Sequence, residues 1–239
     1  MVKAKKLSML AAVASCAALL SGCEMLNQEQ WEPQEPYAIS ISEDGRITEI
    51  VQETLDESYY SASELQNMIT TEVADYNKKN GENCVTVKTF ETEGQSVKLE
   101  MVYASAKDYA GFNNVEFYYG SLINAQLEGY LFDVSYKKVR DGVVTGSSVS
   151  GSEVIKEMDK EVMVVRAPLE VNVPGSILYT STNAEILADN VVNATREQDE
   201  EEEEGLVLPS NTVYTSENEA TFEEKEAANR VYIIFEMYD

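Results

Sequence analysis

Ser61-Ala62-Ser63-Glu64-Leu65-Gln66-Asn67-Met68-Ile69, continuing through Val73 and Tyr76 to Lys78-Lys79-Asn80-Gly81, holds the start, the face and the stop of one helix. Ser61 and Glu64 form a capping box, in which a hydroxyl takes up a free N–H of the first turn. Leu65, Met68, Ile69, Val73 and Tyr76 recur at helical spacing and define an apolar stripe. Lys78 and Lys79 complement the negative end of the helix dipole, and Asn80-Gly81 ends it. Such a stripe needs a surface to lie on, and the flanking segments supply one. Before the helix, Tyr37-Ala38-Ile39-Ser40-Ile41 alternates, Asp44-Gly45 turns, and Arg46-Ile47-Thr48-Glu49 returns. After it, Val85 and Val87 alternate on one arm and Val97, Leu99, Met101 and Tyr103 on the other, with Glu93-Gly94 at the turn. Hairpin, helix, hairpin predicts an α+β fold in which the helix packs on an antiparallel sheet.

Further along, Ser105 with Asp108 opens a short helix carrying Tyr109 and Phe112, and residues 115–119 read as a strand. Ser121 starts another short helix with Leu122, Ile123 and Leu127, closed by Gly129. Phe132, Val134 and Tyr136 alternate into a third hairpin turn at Asp141-Gly142. Ser152 is expected to cap a helical turn through Ile155 and Met158. Residues 162–165, 169–173, 177–180 and 186–192 read as short strands. Arg230-Val231-Tyr232-Ile233-Ile234-Phe235-Glu236 holds five successive apolar residues, the pattern of a central strand covered on both faces. The acidic segment 195–205 precedes it, so it reads as a solvated loop within the fold. The domain reading is residues 37–130 as an N-terminal α+β unit and 131–239 as a mostly-β unit, or one continuous domain of both.

The first residues point to location. Lys3, Lys5 and Lys6 precede an apolar run of 14 residues, 7–20, and then Leu20-Ser21-Gly22-Cys23. As a helix that run would be about 21 Å long at roughly 1.5 Å per residue, short of the ~20 residues a span needs. It fits a signal h-region. The order resembles the lipobox of bacterial lipoproteins. The resemblance implies that residues 1–22 are removed, that Cys23 is lipidated, and that the protein sits on the outer face of the cell membrane through its lipid. Residues 23–36, polar with Pro33 and Pro36, would form the tether. Within residues 59–120, Tyr60-Ser61-Ala62-Ser63-Glu64-Leu65, Glu72-Val73-Ala74-Asp75-Tyr76-Asn77 and Lys107-Asp108-Tyr109-Ala110-Gly111-Phe112-Asn113 resemble surface lipoproteins of gut clostridia. That likeness implies a Gram-positive source and an exported location, and it carries no particular chemistry.

Composition narrows the function. The chain has 239 residues, 43 acids, 18 bases and no histidine. Loss of residues 1–22 removes three lysines and no acid, leaving 15 bases against 43 acids and a formal charge of −28. Such charge argues against nucleic acid, since phosphate binding requires cations that displace counterions. The absence of histidine removes Ser-His and Cys-His pairs and all histidine zinc sites. Cys16 leaves with the signal and Cys23 carries lipid, so Cys84 stands alone and reads as a small buried hydrophobe. No cofactor-binding loop matches, and no cofactor is expected. Six consecutive acids, residues 199–204, lack the alternating oxygens of a calcium loop, so divalent-cation binding there is disfavoured. Ser135-Tyr136-Lys137-Lys138 fits Ser-x-x-Lys formally, but on an alternating strand positions i and i+3 face opposite ways.

What remains is aromatic. The chain has 14 tyrosines, with adjacent pairs at Tyr59-Tyr60 and Tyr118-Tyr119. Exposed tyrosines on a rigid sheet can stack on sugar rings or contact a peptide, and these four are the candidate binding surface, against core packing as the competing reading. The expected function is a membrane-anchored, non-catalytic lipoprotein that binds a protein or glycan partner or supports envelope assembly. The opposing expectation is a carboxylate-based extracellular hydrolase, which needs two acids converging on a cleft.

Overall fold

The computed structural model describes residues 31–56, 61–166, 168–194 and 230–238. In chain order the elements are β1 (Tyr37–Ile41), β2 (Ile47–Thr54), α1 (Ala62–Asn80), β3 (Val85–Glu93), β4 (Ser96–Tyr103), α2 (Ala106–Asn113) and β5 (Phe117–Ser121). There follow α3 (Leu122–Leu127), β6 (Ser135–Arg140), β7 (Val143–Val144), β8 (Val149–Ser150), α4 (Gly151–Val154), β9 (Glu161–Val165), β10 (Glu170–Asn172), β11 (Gly175–Ser181), β12 (Glu185–Ala188), β13 (Val191–Asn193) and β14 (Val231–Met237). The fold is α+β, with two sheets rich in antiparallel pairs.

The first sheet runs β12-β13-β10-β1-β2-β4-β3 and the second β5-β9-β14-β11-β6-β7, with β8 also on β6. The β1–β10 contact is parallel, with Ile39 opposite Val171, and the other pairings are antiparallel. Both sheets take strands from either side of residue 130, and the described residues from Pro33 onward form one compact unit. The alternation of β14 shows how the layers stack. Val231, Ile233 and Phe235 face a core shared with Ile39, Ile47, Met101 and Val171 of the first sheet. Tyr232 and Ile234 face a second core with Val162, Val164, Leu122 and Val154. β14 therefore lies between β9 and β11, buried on both faces, which is why its apolar run is unbroken.

Local signals account for the helices. Ser61 Oγ accepts the Glu64 N–H at 3.3 Å, and Ser105 Oγ accepts that of Asp108 at 3.2 Å. The Asn77 side chain bonds both the N–H and the carbonyl of Val85, at 2.9 and 2.8 Å, fixing the end of α1 to the start of β3. Leu65, Ile69, Val73 and Tyr76 face the first core. Met68, expected in the stripe, is 52% exposed, because the sheet covers only a narrow sector of α1. α4 also departs from expectation: Ser150 holds the N-cap position, Ser152 lies inside the turn, and the helix stops at Val154. The reason is steric, since a Cβ on Gly151 would fall 1.6 Å from the Phe132 carbonyl oxygen, so the chain turns where only glycine fits.

Candidate binding groove

β11 pairs with β14 from Gly175 to Thr180, but with β6 only from Tyr179 to Ser181. The β11–β14 register shifts between Ile177 and Tyr179, leaving Leu178 as the extra residue of a bulge. Past Tyr179, β6 and β11 separate. The turn between β12 and β13 enters the gap, and the Ile177 N–H donates to the Asp189 carbonyl at 2.8 Å. Gly142, at the tip of the β6–β7 turn with φ +72°, is so close that a Cβ would lie 2.7 Å from the Asp189 nitrogen. A turn of one sheet thus holds apart two strands of the other. The result is a groove of about 280 Å³, just below the range of ligand sites, which run from about 300 to 1,000 Å³.

The β6–β7 hairpin, strand β11, the α4–β9 connection and the β12–β13 turn supply its polar groups. Lys138 and Arg140 lie on one face of β6, two residues apart, hence about 7 Å along the strand at roughly 3.3 Å per residue. Both are exposed. Neither joins an ion pair among the described residues. Lys138 Nζ lies 5.8 Å from the centre of the Tyr179 ring, a cation–π distance. The Tyr179 hydroxyl donates to Glu157 Oε1 at 3.4 Å. Asp189 Oδ2 accepts from Ser176 Oγ at 2.7 Å and from the Tyr238 hydroxyl at 3.1 Å. Burial first, and then the Glu157 and Asp189 carboxylates, raise the Tyr179 and Tyr238 phenols above their usual range. Two cations, the hydrogen-bonded carboxylates of Glu157 and Asp189, the carboxylate of Asp141 and the hydroxyls of Ser176 and Tyr179 in a small groove suit charge pairing and hydrogen bonding to a small polar ligand.

Two further polar centres lie elsewhere. On the inner face of the first sheet Glu49, opposite Ile39 and Met101, accepts a hydrogen bond from the Tyr103 hydroxyl. Asn113 Nδ2 donates to that hydroxyl at 3.2 Å. Burial raises the Glu49 carboxyl, and the bonds from Tyr103 and Asn113 oppose the rise. At the β5 edge, Glu116 accepts from Arg230 Nε at 2.7 Å, and the guanidinium carbon of Arg230 lies 5.8 Å from the centre of the Tyr130 ring.

The residues singled out by sequence fall as follows. Cys23, Tyr59, Tyr60 and segment 195–205 lie outside the described residues. Tyr118 is 8% exposed, with its ring 5.1 Å from that of Tyr130. Tyr119 is half-buried and stacks on Phe235, centroids 6.2 Å apart. The two rings sit on opposite sides of β5, and neither is brought to the groove. Ser135 and Lys138 are on strand β6, as their alternation implied. Cys84 is a free thiol at the edge of the first core, raised by burial and by Asp108 beside it. Arg140, Glu157, Ser176, Tyr179 and Asp189 were not singled out, and Lys138 only through the Ser-x-x-Lys spacing. The one available signal was Lys137-Lys138-Val139-Arg140, a cluster of cations in an acidic chain.

Comparison of the chain with protein-family models, with characterised proteins and with solved structures gives no match.

Proposed function

We propose that this chain is a non-catalytic, lipid-anchored protein of the outer cell surface, probing its surroundings through the groove between β6 and β11. The observation that carries the binding reading is the pair Lys138 and Arg140, held on one face of a strand without an ion-pair partner among the described residues. Neighbouring cations repel, so apart from the contact of Lys138 with the Tyr179 ring the arrangement is suited to an incoming acceptor. The lipobox resemblance at Leu20-Ser21-Gly22-Cys23 supports the anchor, and the negative charge of the chain suits a soluble head at a crowded surface.

Two measurements test the two halves. Cells expressing the full chain are labelled with radioactive palmitate; label in the wild type and none in Cys23→Ala supports the anchor, and equal label overturns it. For the groove, the full chain is applied to a printed array of glycans and peptides beside the double variant Lys138→Glu/Arg140→Glu. Signals lost in the variant support the reading, and identical signals remove the groove from it. Cleavage of an array glycan, abolished by Glu157→Gln, would replace the non-catalytic reading with the hydrolase, for which the groove supplies Glu157 and Asp189 as the two acids.

A further inference from the structure

The groove has an order of charge that narrows its ligand beyond a small polar molecule. Lys138 and Arg140 join no ion pair among the described residues, whereas of the three carboxylates in the groove, Asp141, Glu157 and Asp189, the last two already accept hydrogen bonds from Tyr179, Ser176 and Tyr238. A ligand anion therefore meets Lys138 and Arg140 first. Arg140 offers the planar fork that matches a carboxylate by two parallel hydrogen bonds, and Lys138, about 7 Å along the strand by roughly 3.3 Å per residue, offers a compact point charge. The rest of the lining is acceptor-rich, since carboxylate oxygens of Asp141, Glu157 and Asp189 retain lone pairs beyond any bonds they accept. Those acceptors select a ligand that brings O–H donors beside its own anion. A doubly charged phosphate suits the groove less, because its three carboxylates repel the second charge.

The backbone around the groove argues against a peptide strand. β6 is covered on its outer edge by β8 at Ser135 and Tyr136 and by β7 at Val139 and Arg140. Within the seam, the Ile177 N–H is taken by Asp189. An extended peptide would find few free ladder groups and would lose the main-chain bonds that give strand addition its affinity. A sugar acid meets both requirements: one ring carries a carboxylate and neighbouring hydroxyls. We infer that the β6–β11 groove binds a carboxylated sugar, a uronic acid residue of an acidic glycan, with its carboxylate on Arg140 and Lys138 and its hydroxyls on Glu157 and Asp189. This inference rests on the groove being the binding site.

The test is calorimetric titration of the full chain, in detergent micelles, with trigalacturonate, with its methyl ester and with triglutamate. Wild-type protein should bind trigalacturonate; the methyl ester and Lys138→Ala/Arg140→Ala should each weaken binding by about tenfold or more, as loss of charge-assisted hydrogen bonds does. Lys98→Ala, which removes one exposed lysine from the far end of β4, controls for bulk charge and should leave affinity within about twofold, as an exposed charge contributes little. Thermal melts of each variant check folding, and both groove cations are exposed, so their loss should leave the melt unchanged. Equal affinity for the methyl ester, itself lost in the double variant, overturns the carboxylate and leaves the groove standing. Trigalacturonate binding that ignores the double variant overturns the groove as well. No heat with trigalacturonate, or tighter binding of triglutamate, overturns the sugar acid.

Discussion

The Tyr103 hydroxyl donates its hydrogen to the Glu49 carboxylate on the inner face of the first sheet, and Asn113 donates to Tyr103 in turn. A carboxylate in a strand position flanked by Ile39 and Met101 is costly when ionised, and burial raises its pKa from the ordinary value near 4.5. The folded chain therefore holds a proton on Glu49 over a pH range where the unfolded chain has lost it. Stability from this group is fully present below pH 4.5 and falls as pH rises through the elevated folded value. Glu49→Gln keeps an acceptor for Tyr103 and removes the titration. Urea unfolding at pH 4.5 and pH 7 should show the wild type losing more stability than the variant over that interval. Parallel losses would mean that Glu49 is solvated.

Tyr103 and Tyr136 are both fully buried, yet their hydroxyls differ in kind. That of Tyr103 is bonded on two sides, to Glu49 and Asn113, whereas that of Tyr136 has no hydrogen-bond partner among the described residues. Tyr103→Phe should cost about 1.5–3 kcal/mol, because it strips a buried carboxylate of a donor. Tyr136→Phe should be neutral or stabilising by up to about 1 kcal/mol, since an unsatisfied hydroxyl leaves the core. Denaturant midpoints of the two variants at pH 7 decide it, and equal losses would contradict the distinction.

Gly151 and Gly94 separate two reasons for glycine. A Cβ on Gly151 meets the Phe132 carbonyl oxygen at 1.6 Å, so Gly151→Ala must move backbone and should cost more than about 3 kcal/mol, beyond ordinary overpacking. Gly94 has φ +62° and open space around it, so Gly94→Ala should cost only about 1–2 kcal/mol, from the left-handed conformation alone. Thermal unfolding with and without each substitution measures the gap; similar losses would place the carbonyl contact in doubt.

What the chain announces in advance follows the range of the interactions. The capped start of α1, the alternation in β4 and the five apolar residues of β14 are contained in short windows, and the structure follows them. The parallel β1–β10 pairing joins Ile39 to Val171, and no short window records a contact so distant. The β12–β13 turn at Asp189-Asn190 contains no glycine or proline, so residues 186–192 read as a continuous stretch although they form two strands. Glu49 shares its period-2 face with Ile47 and Val51, which places a carboxylate toward the core, but pattern alone says nothing of the tyrosine waiting there. The groove was least visible. Its residues come from four separate segments of the chain, and Lys138 and Arg140 read on their own strand as an ordinary polar face.

Asp189 holds the groove together from below, and its loss should be visible in a tyrosine. The Tyr238 phenol is raised first by burial, then by the charge of Asp189 and the bond it gives to that carboxylate, while Ser176 opposes the rise. Asp189→Asn removes the charge and keeps an acceptor near Ser176 and Tyr238, so the turn should remain between β6 and β11. One phenol should then ionise at lower pH than in the wild type, because the phenolate no longer forms beside a carboxylate. Absorbance titration at high pH, referenced to Tyr238→Phe in both backgrounds, isolates that one group among the fourteen tyrosines. An unchanged midpoint would mean that burial alone sets the Tyr238 phenol and that the Asp189 carboxylate is directed away from it.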